Sequence, residues 1–245
     1  WLEQACDKGA ALSLGPGILG SIPPLIAVVQ GWDFSLVTDA AKAQARDRDY
    51  TVGITWGKDE NGNRYLLDIQ RFRGVSEAQL YSRIKANYAR FVAHTHIDQV
   101  TVERNNFGEL HFMALQRTTD LPLKPHLTTG RGKADPWDGV SAMSSLFENG
   151  KVIFPYRTDE DKWKVDVLKA ELWGFGSETH DDTVMGLWIA ECGLRKGGFK
   201  YRMSFGELDS SEDAIELEEE DETHRVANTL DWDPVWDGML GSFRS

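Results

Sequence analysis

The run Ile26-Ala27-Val28-Val29-Gln30-Gly31-Trp32-Asp33 constrains the fold more than any other stretch of the chain. Its length and its β-branched and aromatic content read as a strand. It is too apolar for an exposed edge, so it belongs in the middle of a sheet covered on its faces. Asp33 closes it, either as a plain strand terminator or as a functional acid at the tip of a central strand.

Strands are also predicted over residues 50–56 and 64–72, joined by residues 57–63, whose Asn61-Gly62 is a hairpin signal. The loop over residues 36–48 carries Lys42, Arg46 and Arg48. Ser76 and Gln79 form a capping box, opening a helix with Leu80, Ile84, Tyr88 and Phe91 at helical spacing. A strand over residues 99–103 follows, then a helix over 107–116 and a strand over 121–127. A Gly-rich basic loop at 129–133 leads to a helix over 136–147 that stops at Asn149-Gly150. A short strand at 151–156 and helices over 159–172 and 181–195 complete the core. Three meandering strands followed by alternating helices and strands imply an α/β fold, a mixed sheet flanked by helices.

The formal net charge of -12 argues against a nucleic-acid partner. Ten acidic residues and no Lys or Arg lie between Glu207 and Glu222, however, so the remainder of the chain stands near -2. The acidity belongs to a C-terminal segment with few apolar positions, read as solvated or disordered, and a basic patch can coexist with it. No apolar run is long enough to span a bilayer, so no membrane partner is expected. Cys6 and Cys192 have no CxxC or Cys/His neighbourhood, which excludes a zinc site and a disulfide framework and leaves two reduced thiols.

The chemistry resides in the acids. Glu103 ends the fourth strand, which this topology places beside the first, and acids at neighbouring strand tips lie about 5 Å apart. Asp181 and Asp182 open the last long helix, where the helix dipole favours negative charge. Such an oxygen cluster suits Mg²⁺ or Mn²⁺, and two such ions can activate water and stabilise the leaving oxygen of a phosphodiester. Each acid has a plainer reading: a strand terminator, a surface partner for Arg104, or helix-entry charges. Asp49 reads as a turn residue and His180 as a helix-entry histidine or a proton-transfer group. Trp163, Trp173 and Trp188 fit helix core faces. Arg104, Arg131, Lys133, Arg46 and Arg48 are the candidate DNA contacts; Arg131 and Lys133 sit among glycines that allow close backbone approach to a phosphate, unless the segment is simply a flexible loop.

Four stretches together resemble the nuclease domain of tailed-bacteriophage large terminases: Gln30-Gly31-Trp32-Asp33, Asp49-Tyr50-Thr51, Thr101-Val102-Glu103-Arg104-Asn105 and His180-Asp181-Asp182-Thr183-Val184-Met185. The resemblance spans residues 26–195 and departs from the family pattern at Arg104, inserted after the acid. Glu148-Asn149-Gly150 before a short strand is similar as well. It implies a ribonuclease-H-like endonuclease that cuts concatemeric double-stranded viral DNA during packaging in the host cytoplasm, with two Mg²⁺ or Mn²⁺ ions on Asp33, Glu103 and Asp181 or Asp182. It also implies an ATPase motor domain, a portal and a small terminase subunit as partners. The chain has no GxxxxGK[ST] motif for a motor. Three regions are expected: residues 1–25 as a linker or the end of a preceding domain, 26–198 as the nuclease domain, and 199–245 as an acidic extension. The competing readings are a junction resolvase or transposase-type nuclease on the same fold, and a non-catalytic packaging or assembly module.

Overall fold

The computed structural model describes residues 15–34, 50–105, 107–135, 138–156, 158–176 and 180–196. Its strands are β1 (Leu25–Asp33), β2 (Thr51–Asp59), β3 (Arg64–Phe72), β4 (Gln99–Glu103), β5 (Leu123–His126) and β6 (Val152–Ile153). They form one mixed sheet of order β5-β4-β1-β2-β3-β6. The central position expected for β1 is therefore observed, as is its parallel pairing with β4. β1, β2 and β3 form the antiparallel meander. The β2–β3 turn is held by the Asp59 carboxylate, which accepts from the Asn63 backbone N–H at 2.7 Å and its side-chain amide at 2.8 Å, and Gly62 adopts the positive φ of 77° that the turn requires.

Among the described residues six α-helices flank the strands: α1 (Glu77–Val92), α2 (Phe107–Thr118), α3 (Gly130–Lys133), α4 (Ser144–Glu148), α5 (Asp159–Gly174) and α6 (Asp182–Lys196). The Ser76–Gln79 capping box opens α1, and Thr158 with Asp161 builds a second at α5. Strand alternation divides the core in two. Val28, Trp32, Val100 and Val102 pack with Leu80, Ile84 and Phe91 of α1. On the other face Ala27, Val29, Val52, Ile54 and Trp56 pack with Val184, Leu187, Trp188 and Ile189 of α6. Helix α6 is buried from Asp182 to Leu194, the environment of a helix apolar on nearly every side.

Three local expectations need correction. The helix expected over 136–147 is a 3-10 turn, Val140–Met143, followed by the short α4. Gly139 is the reason: a Cβ there would lie 2.4 Å from the Asp135 carbonyl oxygen, so the chain folds back too tightly for a continuous helix. The loop at 129–133 contains the single helical turn α3, capped by the Thr129 hydroxyl, which accepts from the Gly132 N–H at 2.9 Å. Trp163 and Trp173 are exposed by 57% and 75%, and only Trp188 of the three tryptophans is core. The buried stripe of α5 runs through Asp161, Val165 and Leu168, which turns Trp163 to the opposite side. Within residues 1–25, read as a linker or the end of a preceding domain, Pro16–Ser21 forms a 3-10 helix whose Ile18 is buried among the apolar side chains of the α1-side core. No helix among the described residues is long and apolar enough to cross a membrane. Cys6 and the acidic C-terminal segment lie outside the described residues, and Cys192 is a buried free thiol.

Candidate active site

Alternation fixes which face each strand-end residue presents. Val29 and Val52 belong to the α6-side core, so Asp33, in register with Val52, ends β1 on that face. Trp32 pairs with Val102, which brings Glu103 alongside Asp33 one residue later. The register continues outward, Glu103 opposite His126 on β5 and Val52 opposite Arg71 on β3. One row at the strand ends thus reads His126, Glu103, Asp33, Val52, Arg71.

Helix α6 adds the third acid, and glycines let it come close enough. A Cβ on Gly31 would stand 2.3 Å from the Ala190 nitrogen and 2.7 Å from the Gly186 carbonyl oxygen, so the helix backbone lies directly on β1 and any side chain there would lift it off. The Asp182 carboxylate accepts from the Tyr50 backbone N–H at 3.0 Å and lies 3.6 Å from His180 Nδ1. The Tyr50 and His180 rings meet edge to face at 5.8 Å. Asp181 lies one residue before α6, its carbonyl accepting from the Met185 N–H at 2.8 Å.

The Asp33 carboxyl is pushed well above the usual carboxylate range, first by desolvation, then by its hydrogen bond with Glu103 and by the negative charges of Glu103 and Asp182; Lys133 opposes the shift. Among the described residues no group of three or more His, Cys, Asp or Glu side chains stands at metal-holding spacing. The three carboxylates share a field rather than a finished coordination shell. Their chemistry nevertheless fits a hard divalent cation: oxygen donors from three elements, held against one another's charge.

Supporting groups come from residues the sequence did not single out. Glu171 of α5 is buried, and its carboxylate accepts from the Thr183 N–H at 2.6 Å, the Thr183 hydroxyl at 2.9 Å and the Val184 N–H at 3.3 Å. It caps the first turn of α6 next to Asp182 and pairs with Arg71 at 3.3 Å. Its place on the stripe Asp161, Val165, Leu168, Glu171 was the one signal available, an acid at an apolar helix position. His126 packs edge to face on Trp188 at 4.8 Å. Burial drives its imidazole down to about 4, Lys196 adding to the shift and Glu103 opposing it, so the ring is neutral at physiological pH.

The candidate DNA contacts separate. Lys133 stands within the field of Asp33. Arg104 is half exposed and pairs with Glu109 at 2.7 Å. Arg131 lies on α3, its side chain outside the description, and Arg46, Arg48 and Asp49 fall outside the described residues.

Comparison with known proteins gives one family. The terminase RNaseH-like domain matches residues 30–187, from the residue before Gly31 to the second turn of α6. No curated protein matches. Among solved structures, the HK97 bacteriophage large terminase aligns at 13% identity over 78% of this chain and 42% of its own, with a TM-score of 0.48. The yeast mitochondrial Holliday junction resolvase Ydc2 aligns at 12% identity over 73% of this chain and 83% of its own, with a TM-score of 0.42. The chain thus spans less than half the length of the HK97 protein.

Proposed function

The chain belongs to the terminase RNaseH-like domain family, and from that premise we propose that it is a divalent-metal-dependent endonuclease acting on double-stranded DNA. The observation that carries the reading is the raised Asp33 carboxyl, caught between Glu103 and Asp182 at the strand ends. A fold that only needed caps there has no reason to set three acids against one another.

Asp33, Glu103 and Asp182 would hold two Mg²⁺ or Mn²⁺ ions, which when bound supply activation of water and stabilisation of the leaving oxygen. We assign Asp182 rather than Asp181 as the main ligand from the α6 turn, because its charge acts on Asp33. A bound cation would offset the mutual repulsion of Asp33 and Glu103. Tyr50 orients Asp182 through its backbone N–H, and Glu171 fixes the helical turn that carries it. Lys133 offers a cation to the phosphate being cut. Arg104, Arg131, Arg46 and Arg48 would hold the flanking backbone.

In this reading the substrate is concatemeric viral DNA in the host cytoplasm, cut beside an ATPase motor domain, a portal and a small terminase subunit. Residues 26–198 form the cutting domain in this proposal, and 199–245 an acidic extension. The test is nicking of supercoiled plasmid by the full chain with Mg²⁺ or Mn²⁺. Wild type nicks, chelator abolishes nicking, and Asp33→Asn is inactive while melting at wild-type temperature or above. An Asp33→Asn protein that cuts as fast as wild type would overturn the site, and a wild type that neither cuts nor binds divalent ions would leave a non-catalytic assembly module.

A further inference from the structure

Beyond the acids, a second cluster lies at the end of β3. Arg71 is in register with Val52 and so shares the α6 face with Asp33, two strands away. Arg73, two residues on, stands beside it. Both guanidiniums rest on one aromatic ring, the Arg71 Cζ 3.3 Å and the Arg73 Cζ 4.6 Å from the Tyr50 centroid. Stacking of this kind favours each cation singly, but it sets two like charges side by side. Among the described residues the buried Nε of Arg71 has no hydrogen-bond partner, although the same side chain pairs with Glu171 through Nη2. The ring that carries the two cations belongs to the residue whose N–H holds Asp182. The cluster therefore adjoins the acids through a single residue. Lys133, the cation acting on Asp33, comes by contrast from the segment after β5, on the other side of β1 in the strand order.

We propose that Arg73, with Arg71 and the Tyr50 ring, forms a phosphodiester-binding subsite for the strand being cut, next to the scissile position on the β2–β3 side of the acids. The inference rests on the nuclease reading above. A polyanionic strand approaching three carboxylates is repelled unless cations hold it on both flanks. Lys133 supplies one flank and the guanidinium pair the other. Loss of Arg71 would also release Glu171, which caps α6, so the charge at Arg73 is the one to probe.

The experiment measures duplex DNA binding by the full chain across a salt series, in an Asp33→Asn background that holds the substrate intact. Adding Arg73→Ala is expected to weaken binding several-fold and reduce the slope of log affinity against log salt by about one contact's share, read at a temperature well below the melting point of each variant. Arg73→Lys restores the slope, since it returns the charge. Arg83→Ala is the matched control: it removes one positive charge from an exposed position on α1, where the guanidinium lies over Phe72 on the opposite face of the sheet, and should alter neither affinity nor slope. Equal effects of Arg73→Ala and Arg83→Ala, or none from either, would overturn the subsite while leaving the nuclease reading intact. An Asp33→Asn protein that binds no duplex under any salt condition would overturn both.

Discussion

The two ends of α6 carry buried acids with opposite fates. Toward its C-terminal end Glu191 is almost fully buried, and burial alone would raise its carboxyl. The hydrogen bonds and charge of Arg64, the Trp56 indole N–H and the charge of Arg195 outweigh that and hold it below the usual range. The Arg64 pairing is bidentate, at 2.9 and 3.0 Å. At the other end Asp182 faces Asp33 and Glu103, and there desolvation and like charge win, so Asp33 rises. The helix thus begins beside an acid raised by its acidic neighbours and continues through one clamped by an arginine. In the proposed function the first group serves a cation, whereas Glu191 holds the structure.

Removing one acid from each end breaks the comparison most sharply. Asp33→Asn or Glu103→Gln is expected to lower the rate of DNA cleavage by about a thousandfold or more, roughly 4 kcal/mol of transition-state stabilisation, read in a plasmid-nicking time course. Neither substitution should lower the melting temperature of the metal-free protein, since each relieves repulsion. Glu191→Ala should do the reverse. It leaves Arg64 buried without its carboxylate, a loss of about 3–5 kcal/mol visible in denaturant unfolding, and it lowers cleavage only as far as folded protein is lost.

Glu171→Gln lies between these extremes. It keeps shape and some hydrogen bonding but removes the charge that caps α6 and pairs with Arg71. Chemical denaturation should register a loss of about 1–2 kcal/mol, and cleavage should fall roughly 10- to 100-fold, as for a group that orients a ligand. The smallest effect is in the pH dependence of stability. Glu191, depressed in the folded state, contributes stability that is present above its unfolded value and lost as pH falls through the folded one. Asp33, raised, has the opposite sign: without metal the protein loses stability as pH climbs from the unfolded carboxylate value to the raised folded one. Melting curves of Glu191→Gln and Asp33→Asn against pH should therefore depart from wild type in opposite directions.

How much of this was legible in the sequence follows from range. β1, β3, β4 and the α1 capping box could be read because each rests on local periodicity or a local cap. Asp33 and Glu103 could be paired because parallel neighbours end at the same side of a sheet. Which of Asp181 and Asp182 acts on Asp33 could not be read, since neighbouring helix-entry acids look alike until the helix is docked. The contacts of Tyr50, Arg71 and Glu171 could not be read. Tyr50 meets Asp182 across 132 residues and Arg71 meets Glu171 across 100, and no local pattern encodes contacts of that length. The same limit put Trp163 and Trp173 in the core, where their size suggested they belonged and the phase of α5 did not.

The most direct test of the central claim is a crystal structure of the full chain soaked in Mn²⁺, read by anomalous scattering. A two-ion site predicts anomalous peaks bounded by the carboxylates of Asp33, Glu103 and Asp182, with the Asp33–Glu103 hydrogen bond opened. An Asp33–Glu103 pair still hydrogen-bonded in saturating Mn²⁺, with no peak among the three acids, would contradict it.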